Sequence, residues 1–224
     1  MNKLNHVAFI MDGNGRWGKK RNKSRNYGHL QGVKAVEKIV KGSIKLKIPI
    51  VSFYVFSTEN WKRPKSEIKY LFNLVNLYFK KELKNIIKNN IKINILGKLS
   101  SLPTTIKKEL KVAVRKTKNN NKLIVNLAIN YGSKTEILEA FKKINFKKQK
   151  LNIKNINDNL YVKLPDPDIL IRTGGKKRLS NFLLWQLAYS ELYFLGKLWP
   201  DFNVNDLKKI IKNYRSIKRN FGKI

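Results

Sequence analysis

Four polar stretches of this sequence carry residue types that bind phosphate, and each follows an apolar run. They read DGNGRW (residues 12–17), STENWKRP (57–64), NYG (130–132) and RTGGKKRLSN (172–181). Glycine lets backbone N–H groups approach an anion closely, and arginine presents a planar fork that matches phosphate oxygens. Five arginines are too many for one small phosphate and suit two diphosphate groups: Arg16, Arg25, Arg63, Arg172 and Arg178.

Asp12 is unusual in its setting. The chain has 49 Lys and Arg residues against 14 Asp and Glu, yet this carboxylate directly follows the apolar run at residues 6–11. Mg²⁺ is usually held by one or two carboxylates together with substrate phosphates. Asp12 is therefore a candidate ligand for a hard cation beside a diphosphate.

Arg25 and His29 are four residues apart, so on a helix they would share a face.

The elements that must position these residues alternate between β and α. Apolar, β-branched runs predict strands buried on both faces, at residues 6–11, 50–56, 91–96, 123–129 and 169–171. Helical patterns lie at residues 29–45, 66–88, 104–118, 135–144, 182–189 and 204–214. The alternation predicts an α/β fold with a central, mainly parallel sheet flanked by helices, as a single domain over residues 1–224.

The predicted topology also predicts where the polar stretches meet. In open α/β sheets, ligands bind outside the carboxyl ends of the strands. All four stretches follow predicted strands, so we expect them at one edge of the sheet. The Lys- and Asn-rich segment at residues 145–160 is the most loop-like part of the chain.

Composition narrows the possible classes. The chain has 224 residues, 42% of them hydrophobic, which suits a globular protein with a sizeable core. It contains no cysteine, so disulfides and thiolate metal sites are excluded. No apolar run approaches the roughly 20 residues that span a bilayer, and the first residues do not resemble a signal segment. We expect a cytoplasmic protein.

The net charge of +35 is spread along the whole chain. The lysines are mixed with Asn and Ile rather than clustered with aromatic residues, which favours a solvated surface over a nucleic-acid site. Such a surface still attracts polyanions, and this leaves open a peripheral contact with the inner face of the cell membrane. No phosphate-binding lysine motif or GxGxxG occurs, so nucleotide binding is not supported.

Several of these residues also have plainer interpretations. A single DGNG is a common turn sequence, and Arg63-Pro64 is typical of a helix start. Glu67 suits the first turn of a helix. His6 opens a buried strand and fits a structural role. The tryptophans fit a core or a pocket wall: Trp17, Trp61, Trp185 and Trp199.

Taken in order, five motifs resemble the cis-prenyltransferases, most of all their bacterial undecaprenyl diphosphate synthase branch. They are HVAFIMDGNGRWGKKR, YGHLQG, FSTENWKRP, AINYGSK and PDPDILIRTGG with RLSNFLLWQLAYSELYF and WPDF. The resemblance implies an α/β fold and a homodimer. It also implies repeated Mg²⁺-dependent condensation of isopentenyl diphosphate onto farnesyl diphosphate, with each new double bond cis.

The resemblance also implies roles for individual residues. Asp12 binds Mg²⁺ and assists departure of the allylic diphosphate, and Glu191 is the second metal ligand. Asn60 is the position assigned to proton removal, although asparagine is a poor base and could only orient a water or a diphosphate oxygen. The allylic diphosphate is cradled by Gly13, Asn14, Gly15 and Arg16, with help from Arg25, His29 and Arg63. The second loop is lined by Ser57, Thr58 and Glu59, Trp61 lies beside the substrate, and Trp17 is a further substrate-binding residue. The isopentenyl diphosphate site is matched by Arg172, Arg178 and Ser180, and Leu179 is a further substrate-binding residue.

The growing apolar chain needs a tunnel, for which the helix at residues 66–88 and the strand at 123–129 are candidates. The same residues would also form an ordinary core.

Departures from the family pattern leave alternatives open. Lys176 and Lys177 stand where the bacterial family usually has glutamate and often histidine, and the chain is somewhat short. These features put metal affinity and product length in doubt. The alternatives are a cis-prenyltransferase of shorter product, a non-catalytic relative, or a basic nucleic-acid-binding protein. Because Asp12, Glu191 and the five arginines are all present, we expect a working enzyme that makes a long-chain product, undecaprenyl diphosphate for the cell-wall lipid carrier.

Overall fold

Strands and helices alternate along the chain in the computed structural model, which describes residues 2–220. The strands are β1 (His6–Ile10), β2 (Ile50–Ser57), β3 (Ile91–Leu96), β4 (Leu123–Tyr131), β5 (Ile169–Arg172) and β6 (Glu191–Phe194). The helices are α1 (Asn14–Lys19), α2 (Arg25–Lys45), α3 (Lys65–Lys88), α4 (Thr104–Lys116), α5 (Ser133–Phe146), α6 (Ile153–Asn159) and α7 (Val204–Ser216). Short 3₁₀ helices occur at Thr58–Lys62, Leu99–Ser101 and Trp199–Asp201.

The strands form one sheet in the order β3-β4-β2-β1-β5-β6. The pairs β1·β2, β1·β5, β3·β4 and β5·β6 are parallel. β1 is buried along its whole length, as expected for a strand covered on both faces. The predicted α/β fold with a mainly parallel sheet and flanking helices is therefore confirmed.

The described residues fall into two compact units. The first contains residues 2–53, 166–178 and 186–220, with β1, β5, β6 and the first half of β2. Its core is aromatic: Phe9 stacks on Phe53 at 5.0 Å, and Trp199 and Phe202 meet Phe9 edge-on. The expectation of a single domain over residues 1–224 stays a prediction.

The second unit contains residues 54–165 and 179–185, with β3, β4 and the rest of β2. Tyr54 stacks on Phe182 at 4.4 Å and donates hydrogen bonds to the carbonyls of Tyr131 and Ser180. The buried hydroxyl of Tyr131 donates to Glu136 at 2.5 Å. Burial, together with the negative charge of Glu136, raises the pKa of Tyr131. This unit therefore ties β2, β4 and α5 together through tyrosines.

The prediction of a helix at residues 182–189 is wrong. These residues form turns, because Asn181 and Leu183 adopt left-handed backbone conformations with φ of 62° and 46°. The N–H of Leu184 donates to the hydroxyl of Ser133 instead of to a helical carbonyl. The apolar spacing there serves irregular burial of Phe182, Leu183 and Leu187.

Three of the α-helices and strands, α1, α6 and β6, were not expected from the sequence, and one expected helix begins earlier than predicted. The helix predicted at 29–45 begins earlier, at Arg25, where the hydroxyl of Ser24 caps it by accepting the Tyr27 N–H. The loop-like segment at 145–160 contains α6, whose first turn is capped by Asn152. The short elements α1 and β6 carry too few residues for a periodic pattern to reveal them.

Among residues 2–220, no helix is both long enough and apolar enough to cross a membrane.

Candidate functional site

The loop after β1, residues 12–17, is shaped by its glycines; it is called the Asp12 loop below. Gly13 has a φ of 110°, a conformation that favours glycine, and directly precedes α1. A Cβ at Gly13 would lie 2.7 Å from Cδ2 of Leu198, so the backbone approaches that side chain closely. The sequence DGNG thus forms a tight connection from strand to helix that leaves Asp12 beyond the end of β1.

The carboxylate of Asp12 lies between two guanidinium groups. Its Oδ2 accepts from Nη2 of Arg172 at 2.9 Å, and its Oδ1 accepts from Nη2 of Arg16 at 3.1 Å. The two arginines differ in exposure, at 4% for the side chain of Arg172 and 44% for that of Arg16. A fixed cation therefore lies on one side of Asp12 and a solvent-accessible one on the other.

The ends of β1 and β5 come together at this point, as the sequence predicts for these two stretches. Arg172 is in register with Ile10, and the hydroxyl of Thr173 donates to the carbonyl of Asp12 at 2.8 Å. Gly174 has a φ of 88°, and a Cβ there would lie 2.5 Å from Nη2 of Arg16. A side chain at position 174 would thus displace the arginine that faces Asp12.

Helix α2 brings a further arginine to the Asp12 loop. A Cβ at Gly15 would lie 2.8 Å from Cζ of Arg25, so this guanidinium rests on the glycine backbone. One turn later on the same helix, His29 is buried. A Cβ at Gly28 would lie 1.9 Å from the carbonyl oxygen of Asn14, so α1 and α2 are in close contact. Arg16, Arg25 and Arg172 therefore surround one short loop.

The segment after β5 continues the positive charge. Nη1 of Arg172 donates to the carbonyl of Arg178, which fixes the backbone of that segment. Lys176, Lys177 and Arg178 themselves are exposed. Lys176 cannot ligate a cation, but with its neighbours it offers exposed ammonium and guanidinium groups for an anion.

In the second unit, the loop at residues 57–63 forms a short helix. Oδ1 of Asn60 accepts from the N–H of Ser57 at 3.2 Å in a capping box. Nε1 of Trp61 donates to Oδ1 of Asn130 at 2.8 Å, and its ring packs against Phe56 and Phe72. The amide of Asn60 thus shapes the loop, which fits an orienting role better than that of a base.

Glu59 and Arg63 each have a defined partner in the second unit. Glu59 accepts from Nδ2 of Asn181 at 2.8 Å. Partial burial opposes ionisation of Glu59, but hydrogen bonds from Asn181, Ser57, Thr58 and its own backbone outweigh it, and its pKa is lowered. Arg63 pairs with the buried Glu67 at 3.2 Å, one helical turn away. Both side chains are therefore oriented before any ligand binds.

The ends of β2 and β4 also meet in the second unit. A Cβ at Gly132 would lie 2.7 Å from both Oγ1 of Thr58 and Nδ2 of Asn181. Ser180 is left-handed with a φ of 50°, and its carbonyl accepts from Tyr54. The carbonyl of Leu179 accepts from the N–H of Phe182 at 3.1 Å. Burial is the main cause that raises the pKa of Tyr54, with Glu59 adding to it.

Glu191 lies at the other end of its strand from the Asp12 loop. It is in register with Ile169, which is in register with Val7, whereas Asp12 lies five residues after Val7, beyond the end of β1 at Ile10. At about 3.3 Å per residue, the three residues from Val7 to the end of β1 alone amount to roughly 10 Å along the sheet. Glu191 lies 3.5 Å from Nε of Arg219. Within one chain the structure does not bring Glu191 to Asp12.

No group of three His, Cys, Asp or Glu side chains that could hold a metal occurs among residues 2–220. Asp12 is the predicted metal ligand that lies beside Arg16 and Arg172.

Two supporting residues were not singled out from the sequence. Thr173 holds the backbone of Asp12, and Asn130 receives Trp61 while its Nδ2 donates to the carbonyl of Lys98 at 2.7 Å. Asn130 adopts a φ of 51°, which asparagine tolerates better than most residues. Both lie inside polar stretches at strand ends, but Thr and Asn are common in any loop. Their position after a predicted strand was the only available signal.

Comparison with known proteins places this geometry in a family. Residues 10–222 match the family model described as "Putative undecaprenyl diphosphate synthase". An isoprenyl transferase of Rickettsia bellii is 46% identical over 225 residues, covering 100% of both chains. The chain belongs to the undecaprenyl diphosphate synthase family. An isoprenyl transferase of Fusobacterium nucleatum is 44% identical and covers 97% of this chain and 95% of its own length. The family is one of prenyl-transferring enzymes.

Solved structures agree with that membership. The structure of a probable undecaprenyl diphosphate synthase from Campylobacter jejuni is 40% identical with a TM-score of 0.87, covering 100% of both chains. Lavandulyl diphosphate synthase from Lavandula x intermedia, solved in complex with dimethylallyl diphosphate, is 31% identical with a TM-score of 0.93, covering 98% of both chains. The cis-prenyltransferase fold predicted from the motifs is confirmed.

Proposed function

We propose that this protein elongates a cis-prenyl chain by condensing isopentenyl diphosphate repeatedly onto an allylic diphosphate, farnesyl diphosphate. The product is a long-chain polyprenyl diphosphate, undecaprenyl diphosphate, which would serve as precursor of the cell-wall lipid carrier. The observation that carries the proposal is the Asp12 carboxylate between Arg16 and Arg172, with the guanidinium of Arg25 against the glycine backbone of the same loop. Such a group of cations fits a diphosphate.

The residues present fit Mg²⁺ that binds together with the substrate. Asp12 is one hard oxygen ligand, and Mg²⁺ commonly takes one or two carboxylates, substrate phosphates and waters. The arginines on both sides of Asp12 balance its charge until a diphosphate takes them up. When bound, Mg²⁺ would supply Lewis-acid stabilisation of the diphosphate that leaves. Glu191 lies at the opposite end of the strands from this loop. It would serve the metal only through a rearrangement or a second chain.

The chain's own residues account for the charge that develops in the reaction. As the C–O bond of the allylic diphosphate weakens, negative charge grows on the leaving group. Arg16 and Arg25 are placed to bind that group, and Arg172 holds Asp12 in position. Preorganised cations stabilise such charge without reorganisation during the reaction. We assign Arg178 and Ser180 to isopentenyl diphosphate, Trp61 to a position beside the substrate, and Asn60 to orienting a water or a diphosphate oxygen near the proton that is lost.

Helix α3 and strand β4 are the proposed walls of the tunnel for the growing chain. Phe72 and Phe79 of α3 are buried, whereas a second apolar row on this helix is only half-buried: Leu71, Leu74, Val75 and Tyr78. A core helix would bury both rows. The half-buried row therefore supports a surface that an apolar product covers.

A shorter product is the second candidate. It is favoured by the likeness to lavandulyl diphosphate synthase, whose structure holds dimethylallyl diphosphate. The reaction class would be the same, but elongation would stop early. Product length separates the two candidates directly.

We further propose that the protein is a cytoplasmic homodimer with a peripheral contact at the inner face of the cell membrane. The edge strand β6 exposes Leu192 at 44%, and an unpaired strand edge is a ready surface for a second chain. The net charge of +35 suits anionic lipid headgroups.

A prenyl-transfer assay tests the proposed function. Purified protein is given radiolabelled isopentenyl diphosphate and farnesyl diphosphate, with Mg²⁺ or with EDTA, beside an Asp12→Ala variant. We expect metal-dependent incorporation that Asp12→Ala reduces by about two orders of magnitude or more, since Asp12 supplies the protein's ligand and orders Arg16. Chromatography of the product distinguishes long from short chains. Well-folded protein that incorporates nothing with any allylic primer would favour the non-catalytic reading.

A further inference from the structure

The segment at residues 198–201, called the LWPD segment, lies against the Asp12 loop, and none of its residues is assigned to substrate or metal. We propose that Asp201 is a positioning residue, which holds Trp17 and thereby sets how tightly the Asp12 loop binds the allylic diphosphate. This inference rests on the proposed function, whose substrate-binding loop it concerns.

The LWPD segment contacts the start of the Asp12 loop through its backbone and an apolar side chain. The N–H of Trp199 donates to the carbonyl of Asp12 at 3.1 Å, and Leu198 packs on Gly13. Nε1 of the buried Trp199 donates to the carbonyl of Gly32 in α2 at 2.9 Å. The segment therefore bridges the loop and the helix that carries Arg25 and His29.

Asp201 contacts the end of the same loop. Its Oδ1 accepts from Nε1 of Trp17 at 2.6 Å and from Nη2 of Arg21 at 3.3 Å. The guanidinium of Arg21 lies over the indole at 3.8 Å from the ring centroid, and Tyr27 stacks on the indole at 6.0 Å. Trp17 thus has its polar group and its ring occupied by protein. Such a side chain acts on the substrate through the loop and not by direct contact.

The loop needs this support because α1 has only six residues. Isolated helices of that length do not persist in water, and the glycines at 13, 15 and 18 add backbone freedom. The carbonyl of Asp12 is held at one end of the loop and Trp17 at the other. Arg16, between these two points, is exposed and would lose its orientation if one of them were released.

A positioning role and a merely structural role for Asp201 predict different results. The side chains of Asp201 and Arg21 are 42% and 44% exposed, and exposed ion pairs contribute little to stability. Loss of Asp201 should therefore leave the unfolding midpoint close to that of the wild type while it changes substrate binding. If Asp201 only stabilised the fold, its loss would change the unfolding midpoint and substrate binding together, or would change neither.

Steady-state kinetics of four variants test the positioning role: Asp201→Ala, Asp201→Asn, Trp17→Phe and the double variant Asp201→Ala with Trp17→Phe. We expect Asp201→Ala to raise KM for the allylic diphosphate about tenfold, the effect of one hydrogen bond to a charged group, with kcat within about threefold. Asp201→Asn keeps an acceptor for Trp17 and should restore most of the affinity. Trp17→Phe removes only the donor, so the double variant should be no worse than either single variant.

Asp158→Ala is the matched control, because Asp158 also pairs with an exposed lysine, Lys163, at 2.5 Å, and it lies in the second unit. Its KM should equal that of the wild type. Thermal unfolding of every variant checks that each is folded.

Calorimetric titration with inorganic pyrophosphate, without metal, measures binding apart from catalysis. Weaker pyrophosphate binding by Asp201→Ala, in proportion to its KM, supports the inference. An active wild type whose KM and pyrophosphate affinity Asp201→Ala leaves unchanged overturns it, and leaves the proposed function standing. Additive effects in the double variant, or a raised KM in Trp17→Phe with an unchanged KM in Asp201→Ala, also overturn it, since Trp17 would then act on the substrate without Asp201. A wild type that neither turns over nor binds pyrophosphate overturns both proposals.

Discussion

At the scale of single residues, the two arginines beside Asp12 have different physical roles. Arg172 extends from the end of β5 with a side chain that is 4% exposed, whereas the side chain of Arg16 is 44% exposed. Both would contribute positive charge toward a diphosphate. Only the buried one is also needed to compensate the carboxylate in the folded protein, because an uncompensated charge is costly where water is excluded.

Arg172→Ala is therefore expected to destabilise the fold far more than Arg16→Ala. Breaking a buried pair costs about 3–5 kcal/mol, whereas an exposed pair contributes about 0–1 kcal/mol. Both variants should lose prenyl transfer. Urea unfolding of the two variants and the wild type measures the difference. Equal losses of unfolding free energy in the two variants would contradict the assignment.

The same residues show what sequence could and could not predict. Asp12, Arg16 and Arg172 were found because parallel strands end at a common edge, and the types of their side chains indicate phosphate chemistry. The pairing of Glu191 with Arg219 could not be found in this way, since it depends on the register of the short strand β6. The partners of Trp17 were also hidden, because Asp201 is 184 positions away in sequence.

At the scale of elements, regular apolar patterns predicted strands and helices correctly, whereas apolar residues that are buried in an irregular segment led to a wrong prediction. Strands β1 to β5 lie where apolar runs predicted them, and α3 differs by one residue from its predicted start. The failure at residues 182–189 has a physical cause. The left-handed Leu183 allows three apolar side chains to be buried without a helix, and hydropathy alone does not distinguish the two arrangements.

The stability that Glu59 contributes in the short helix at Thr58–Lys62 is expected to depend on pH. Hydrogen bonds lower the pKa of Glu59 in the folded state from its ordinary value of 4.5. A lowered folded pKa gives stability that is present above the ordinary value and is lost as pH falls through the folded value. Glu59→Gln should therefore be less stable than the wild type at neutral pH, and the difference should shrink below about pH 4.

Urea unfolding over a range of pH measures this difference. Glu82→Gln is the control, because Glu82 also accepts a side-chain hydrogen bond, from Asn85 at 2.9 Å, but belongs to α3 and not to this loop. If the difference in unfolding free energy between Glu59→Gln and the wild type stayed constant with pH, the hydrogen bonds of this loop would not depend on the ionised form of Glu59.

At the scale of the whole molecule, the dominant property is a charge of +35 that is not confined to one element. Arginines concentrate around the Asp12 loop, but lysines occur on every long helix. A surface of this kind attracts anions through their charge and without base-specific contacts. Anionic lipid is the partner that fits an enzyme whose proposed product is a long apolar chain.

Flotation with liposomes tests that fit. We expect the protein to float with vesicles that contain phosphatidylglycerol at low salt, and to be released at about 1 M salt, where the screening length falls to about 3 Å. Each lysine or arginine near the surface contributes about 1 kcal/mol, so a small number of the 49 is sufficient. Neutral vesicles are the control and should not bind the protein. Protein that stays wholly unbound at low salt, with and without polyprenyl product, would show that the charge serves solvation alone, and binding that resists 1 M salt would point to apolar insertion instead of charge.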